Sequence, residues 1–474
     1  MAGDETQTGV LVAVQLAGVP DDEFESSLGE LARLAKTLGV RVVGRVTQRR
    51  SSLAASAVLG AGKLHELARW TGGTGVVPVG PPKRRGKGGE DEPEEELGEG
   101  VSGDLDEDLE GAEVDERGGQ PSDDAGSPAP TERANVVILD HDVSPSQARN
   151  LERATGVEVL DRTAVILAIF RRHARSREAA LEVEIARLTY QAPRVRESGV
   201  GKDRQAGGIG GKGAGEAYIE LDRRRIRDRI AELRGELAAI ELQSQHRRSR
   251  RSHQATVALV GYTNAGKSSW MRLLTGSGVL VEDKLFATLD TTVRALHPET
   301  RPRILVSDTV GFIKKLPHSL VASFRSTLAE AREASLLVHV VDASDPAFRQ
   351  HMEVTRRVLR ELDAGDSPEL LLLNKADRVD EPQRAALVEE FPDAVILSAK
   401  RSGDVARLRD RVLEFFEREM VDGDVFVPYT KGRWVSEVHA RCRVLAESYE
   451  ADGTRMTVRT HAAELERLRA AVDE

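Results

Sequence analysis

The chain has 474 residues, 40% of them hydrophobic and 31% charged, with a formal net charge of −10 and a single cysteine, Cys442. That length exceeds one ordinary core, so about two to four domains are expected, and one cysteine excludes an internal disulfide framework or a cysteine-based zinc site, leaving Cys442 a core role. No apolar run is long enough to span a bilayer and "MAGDETQTG" lacks the regions of a signal peptide; a cytoplasmic monomer without a membrane span is expected, with peripheral membrane association left open.

From residue 8 to about residue 79, short apolar runs ("GVLVAVQLAG", "VRVVGRV", "GVVPV") alternate with amphipathic stretches such as "DDEFESSLGELARLAKTLG". The pattern resumes with "ANVVILDHDVSPSQARNLERATGVEVLD", so residues 1–165 read as one α/β domain interrupted by an insert at 81–133. The short "GAGKL" at 60–64 lacks the spacing of a phosphate loop and reads as a turn entering a helix. Residues 90–132 carry 18 acidic side chains against Arg117 alone, a net of −17, so removing them turns the formal charge from −10 to +7. The insert has too little apolar surface to offset its ordering entropy and is expected to be disordered. The remainder is basic, which suits a polyanionic partner such as RNA.

Residues 166–252 change period. Leu181, Ile185 and Leu188 recur at helical spacing, as do Ile226, Ile230, Leu233, Leu237 and Ile240, so an antiparallel helical hairpin with a narrow apolar seam is expected. Its loop is the glycine-rich "GVGKDRQAGGIGGKGAGE" at 199–216. Residues 171–251 hold 20 Lys or Arg against 12 Asp or Glu, and the cluster "DRRRIRDR" points to phosphate contacts.

Residues 253–418 open with "TVALVGYTNAGKSSW", an apolar strand running into G-x-x-x-x-G-K-S and then a helix. In that context Gly261, Tyr262, Thr263, Asn264, Ala265 and Gly266 form a loop whose amides face a phosphate anion. Lys267 supplies charge to the β and γ phosphates, and Ser268 supplies a hydroxyl to Mg²⁺. Further on, "LFATLDTTVR" offers Thr288 as a second, mobile Mg²⁺ ligand, with Thr291 and Thr292 as rivals. "ILVSDTVG" places Asp308 at a strand end, where it can hold a magnesium-bound water, followed by Thr309, Val310 and Gly311; the Gly311 amide can sense the γ phosphate. Lys267, Thr288 and Gly311 are thus the candidates for direct catalytic roles. In "ELLLLNKADRV" the Asp377 carboxylate can accept from both the ring N–H and the amino group of guanine, a pair of donors adenine lacks. Asn374, Lys375 and Ala376 would buttress that loop. Ser398, Ala399 and Lys400 end the next strand, where a backbone amide can reach the guanine oxygen. GTP and GDP are therefore the expected ligands. Residues 419–474 hold "VFVPYTKGRW" and "GTRMTVRTHA", which alternate at period two and suggest a small α/β domain.

Taken in order, "RVTQRR", "SPSQARNLE", "DRTAVILAIF", "GGIGGKGAGE", "DRRRIR", "GYTNAGKS", "LFATLD", "DTVGFIKKLPHSL", "NKAD" and "SAK" resemble the HflX family of translational GTPases over nearly the whole chain apart from the acidic insert. The resemblance implies a multidomain α/β protein in which an α/β domain and an antiparallel helical hairpin precede a P-loop GTPase domain, with a small domain at the C-terminal end. It also implies docking on the large ribosomal subunit and splitting of stalled ribosomes under stress. It selects Thr288, because the family's switch-one motif aligns with Phe286, Ala287, Thr288, Leu289 and Asp290. The chain departs from the family pattern at Gly211, Lys212 and Ala214, at Tyr218 and Ile219, and in the "SSWM" that follows the phosphate-loop lysine, where Ser268 itself is kept; none of these departures removes a nucleotide contact.

In many GTP hydrolases the residue after the switch-two glycine is a glutamine that orients the attacking water. Here it is Phe312. Slow intrinsic hydrolysis is expected, with a partner supplying what is missing. A potassium ion held near Asn264 is one source of added positive charge. The competing expectation is a GTP-dependent RNA-binding or scaffold protein of ribosome assembly with little hydrolysis of its own.

Overall fold

The computed structural model describes residues 7–77, 132–195, 214–249, 254–276, 285–286, 288–289, 292–315 and 329–473. Most of the expected acidic insert (81–133) and of the glycine-rich loop (199–216), together with Ala287 and Asp290, lies outside these residues.

The first sheet contains β1 (Thr8–Leu16), β2 (Arg41–Arg50), β3 (Val136–Leu139) and β4 (Glu158–Leu160), in the order β2-β1-β3-β4 with every pair parallel. A parallel strand covered on both faces reads as a continuous apolar run, and all of β1 but its last residue is buried. Helix α1 (Asp21–Leu38) packs on it through Leu28, Leu31, Leu34 and Leu38, and Gly39 ends the helix in the left-handed conformation at φ 86°. Leu31 and Leu34, both fully buried, each contribute about 1.5–3 kcal/mol. Helix α2 (Ala61–Thr71) starts just after Gly60, where the sequence predicts a turn and a helix. Helix α3 (Pro145–Thr155) begins with a capping box between Ser144 and Gln147 and with Pro145 at its first position. The run "GVVPV" departs from expectation: Gly75 to Val77 form no strand. Val136–Leu139, from beyond the acidic tract, pairs with β1.

Helix α4 (Arg162–His173) carries Val165, Ile166, Ile169 and Phe170 into the core beneath the first sheet. Helices α5 (Arg177–Gln191) and α6 (Ala214–Ser249) then pair, with Leu181, Ile185, Leu188 and Leu233 buried between them and Ile226, Ile230, Leu237 and Ile240 alongside. Arg177, at the start of α5, pairs at 2.7 Å with Glu236, far along α6, as an antiparallel hairpin requires.

The second sheet is built on β5 (Ala255–Val260), which leads through the phosphate loop into α7 (Lys267–Thr275). It continues with β6 (Thr292–Ala295), β7 (Ile304–Asp308), the one-turn α8 (Ala329–Arg332), β8 (Leu336–Asp342), α9 (Phe348–Glu361), β9 (Glu369–Asn374), α10 (Glu381–Glu390), β10 (Val395–Ile396) and α11 (Ser402–Glu417). Strand order is β10-β9-β8-β5-β7-β6, parallel except for β6 against β7. A last, antiparallel sheet of β11 (Met420–Pro428), β12 (Arg443–Tyr449) and β13 (Gly453–His461), in the order β11-β13-β12, packs with α12 (Arg433–Arg441) and α13 (Ala462–Asp473). Cys442 is buried in that core with Val438, Met456 and Val458. Among the described residues no helix is long and apolar enough to cross a membrane.

One hydrophobic core joins the first two sheets. It contains Leu28, Leu31 and Leu34 of α1 and Phe170 of α4, together with Tyr262, Phe286, Val310 and Phe312.

Candidate functional site

Strand β5 is followed directly by Gly261, whose φ is 142° and where an added Cβ would lie 2.2 Å from the Val340 carbonyl oxygen. At Gly266, φ is 104° and a Cβ would meet the Asn374 amide nitrogen at 2.3 Å. Only glycine fits either place, so the loop lies against β8 on one side and the Asn374 loop on the other. Asn264 occupies the left-handed region at φ 59°. Lys267 opens α7 and donates through Nζ to the carbonyls of Gly261 (3.1 Å) and Tyr262 (2.9 Å). Burial lowers its pKa to about 8, because the charged form is poorly solvated.

Three oxygens converge beside the loop. The Ser268 hydroxyl donates to Asp308 Oδ2 at 2.7 Å, the Thr288 hydroxyl donates to the same oxygen at 3.0 Å, and the two hydroxyls are 2.8 Å apart. Burial pushes the Asp308 carboxyl upward, opposed by Lys267, and its other oxygen, Oδ1, has no hydrogen-bond partner. Hard oxygen donors around a buried carboxylate suit Mg²⁺. Of the rival threonines, Thr292 stands opposite Asp308 in the β6–β7 ladder, and Thr291 lies outside the described residues. Phe286 and Leu289, which flank Thr288, are buried; Phe286 meets Phe170 edge to face at 4.6 Å.

At the other end of the loop, the Asn374 amide donates to the Ala265 carbonyl at 2.7 Å and accepts from the Ala399 amide at 3.3 Å. Lys375 donates to the Asn264 carbonyl (2.8 Å) and to Asp342 Oδ2 (2.6 Å). The Ala376 amide bonds Leu397 O at 3.1 Å, which ties the loop to the end of the neighbouring strand. Asp377 Oδ1 accepts from the Ser398 hydroxyl at 2.6 Å, and Lys400 stands 3.1 Å from Oδ2. The Ser398 hydrogen bond holds the Asp377 carboxyl below its usual range, so it is an ionised acceptor. Asn374 and Lys375 therefore tie the N-K-x-D loop to the phosphate loop, and Ala399 joins the end of the next strand to Asn374.

Switch two packs against the phosphate loop. Thr309 turns its hydroxyl inward to the Leu259 carbonyl (2.7 Å), and Val310 is buried. The Phe312 amide donates to Gly261 O at 3.1 Å, and its carbonyl accepts from the Thr263 amide at 2.7 Å, so switch two pairs with the phosphate loop like a short strand. Gly311 is pressed against that loop: a Cβ would lie 2.9 Å from both Lys267 Nζ and the Thr263 Cα. The Phe312 ring is 1% exposed and points into the shared core.

The sequence reading missed a group of charged residues behind the loop. Glu30 of α1, Asp140 after β3 and Arg162 of α4 are each at most 2% exposed, and Glu30 bonds the Tyr262 hydroxyl. A signal existed for one of them: Glu30 falls on the same helical face as Ser27, Leu31, Leu34 and Leu38, where a charged residue has no solvent to meet.

A phosphate loop at the end of a central parallel strand, with an N-K-x-D sequence at the end of a further strand, defines the class of P-loop GTPases, enzymes that hydrolyse GTP to GDP and phosphate. Three family models match in succession: "GTP-binding GTPase N-terminal" over residues 25–77 and 126–171, "GTP-binding GTPase Middle Region" over 173–251, and "50S ribosome-binding GTPase" over 256–375. The chain belongs to the HflX family of GTPases. It is 54% identical over 462 residues to the GTPase HflX of Gluconacetobacter diazotrophicus, covering 97% of this chain and 96% of that one. It is 41% identical over 325 residues to the GTPase HflX of Escherichia coli, covering 68% of this chain and 76% of that one. A crystal structure of a GTP-binding protein from Sulfolobus solfataricus in complex with GDP is similar at 22% identity and a TM-score of 0.41, covering 86% of this chain and 98% of that one.

Proposed function

We propose that this GTP hydrolase docks on the large ribosomal subunit, is stimulated by it, and splits stalled or idle ribosomes into subunits. The observation that carries this reading is the orientation of Phe312. It stands where a water-orienting glutamine is common, but its ring is turned into the core between the first two sheets. Stabilisation of the transition state must then come from a partner, a contribution worth on the order of a thousandfold or more in other GTPases. The nature of the partner is supported by the family model that describes a ribosome-binding GTPase and by α6. At about 1.5 Å per residue this 36-residue helix spans about 54 Å, and it exposes Arg224, Arg225, Arg227 and Arg229.

On this reading the phosphates lie along the loop amides and the N-terminus of α7, with Lys267 against the β and γ positions. Ser268 and Thr288 would hold Mg²⁺ directly, and Asp308 would orient one of its waters. When bound there, Mg²⁺ would neutralise negative charge on the phosphates. Potassium beside Asn264 would add further positive charge. Asp377 selects guanine, and Gly311 reports the γ phosphate. The region 201–215, with Lys202, Arg204 and Lys212, neutralises ribosomal RNA phosphates without sequence readout. Replacing 201–215 by a short Gly-Ser linker preserves GTP affinity and basal hydrolysis and sharply slows subunit splitting followed by light scattering. Splitting at the parental rate would remove this region from the mechanism.

A further inference from the structure

The buried charges behind the phosphate loop form two connections between the first domain and switch two. In one, the Tyr262 hydroxyl donates to Glu30 and accepts from the Lys314 backbone amide at 2.7 Å. In the other, Asp140 accepts from Lys315 Nζ at 2.5 Å and from the Ser27 hydroxyl at 2.7 Å. Arg162 joins them: it pairs with Glu30 and donates to Asp140 Oδ1 at 2.7 Å. Tyr262 is itself a phosphate-loop residue, 5% exposed, and its ring stacks on His351 at 3.9 Å.

We infer that Glu30, a residue of the first domain, is a positioning residue for GTP hydrolysis: through the Tyr262 hydroxyl it holds the phosphate loop and the switch-two backbone at Lys314 in one register. Two residues before Lys314, Phe312 already exchanges two backbone hydrogen bonds with the loop. The Tyr262 hydroxyl extends that ladder past the point where backbone pairing ends. Glu30 keeps the hydroxyl oriented as a donor toward itself, which leaves its lone pairs for the Lys314 amide. Arg162, paired with Glu30 and bonded to Asp140, in turn fixes the Glu30 carboxyl in place. The γ phosphate acts on switch two at Gly311, three residues from the pinned amide, so the pin bears on GTP and its hydrolysis while GDP is bound without it.

The test uses the purified full chain and single-turnover GTP hydrolysis, with GDP affinity and thermal unfolding measured on each variant. Tyr262→Phe removes only the hydroxyl and keeps the stacked ring; Glu30→Ala removes the acceptor; Glu30→Gln keeps an oxygen for the hydroxyl. Losing one buried hydrogen bond corresponds to a rate reduction of about fivefold for Tyr262→Phe and for Glu30→Ala, with GDP affinity within about twofold of the parent. The double variant should be no slower than Tyr262→Phe alone, because both changes break one connection, and Glu30→Gln, which offers the hydroxyl an oxygen but loses the charge that pairs with Arg162, should be faster than Glu30→Ala. The inference fails if Tyr262→Phe hydrolyses GTP at the parental rate, if the two losses multiply in the double variant, or if Glu30→Gln is as slow as Glu30→Ala. Tyr262→Phe keeps the test decisive should Glu30→Ala not fold.

Discussion

Restoring the glutamine that many GTPases carry would be the obvious way to speed this enzyme, and the geometry says that it fails. Phe312 is 1% exposed and shares a core with Tyr262, Phe286, Phe170 and the leucines of α1. Phe312→Gln forfeits most of the burial of an aromatic side chain, about 1.5–3 kcal/mol. It also sets an amide among apolar groups, which costs a further 1–3 kcal/mol or so. The sum, about 2.5–6 kcal/mol, is a large share of the roughly 5–15 kcal/mol that holds a domain together. The amide would still point away from the phosphates, because the backbone at 312 is fixed by its bonds to Gly261 and Thr263. Urea unfolding followed by the fluorescence of the fully buried Trp270 should show the destabilisation. GTP turnover, measured where the variant is still folded, should stay within about twofold of the parent. A variant of parental stability that hydrolyses GTP about tenfold faster would show that position 312 reaches the nucleotide and would refute the reasoning.

Asp377→Asn should weaken GTP binding by more than about tenfold and shift preference to xanthosine nucleotides, because the amide places a donor against the guanine amino group; full GTP preference in a competition assay would overturn the base-site assignment. Burial holds Lys267 at about 8, and bound phosphates raise it. Binding therefore takes up a proton above about pH 8, and GTP affinity falls as pH rises through that range while staying level below it. Calorimetry in two buffers of different ionisation heat at about pH 8.5 should detect the uptake, and an affinity unchanged between about pH 7 and pH 9 would contradict it.

The nucleotide motifs were legible because each is local. G-x-x-x-x-G-K-S and N-K-x-D lie within a few residues of a strand end, so the sequence pattern and the geometry coincide at Gly261, Ser268 and Asp377. Thr288 was harder. Residue type offered Thr288 but left Thr291 and Thr292 as rivals, and family resemblance selected Thr288, whose hydroxyl lies within hydrogen-bond distance of Ser268 and Asp308. The hairpin seam was readable from periodicity, since every seam leucine and isoleucine recurs at helical spacing. What sequence could not supply was direction and long-range pairing. Nothing in "DTVGF" says that the Phe312 ring turns toward α1, and Glu30 meets its Tyr262 partner from 232 residues away. The run "GVVPV" reads as a strand from its apolar residues alone, yet Gly75 to Val77 form none, because local composition does not say whether a neighbouring strand is there to pair with.

The most direct test of the account is single-turnover GTP hydrolysis by the purified chain with and without purified large ribosomal subunits, at fixed magnesium and salt. With Phe312 buried and an external partner required, the subunits should raise the rate by on the order of a thousandfold. A rate that is the same in their presence and absence would contradict the account, and would leave a GTP-dependent RNA-binding or scaffold role as the better reading of the same site.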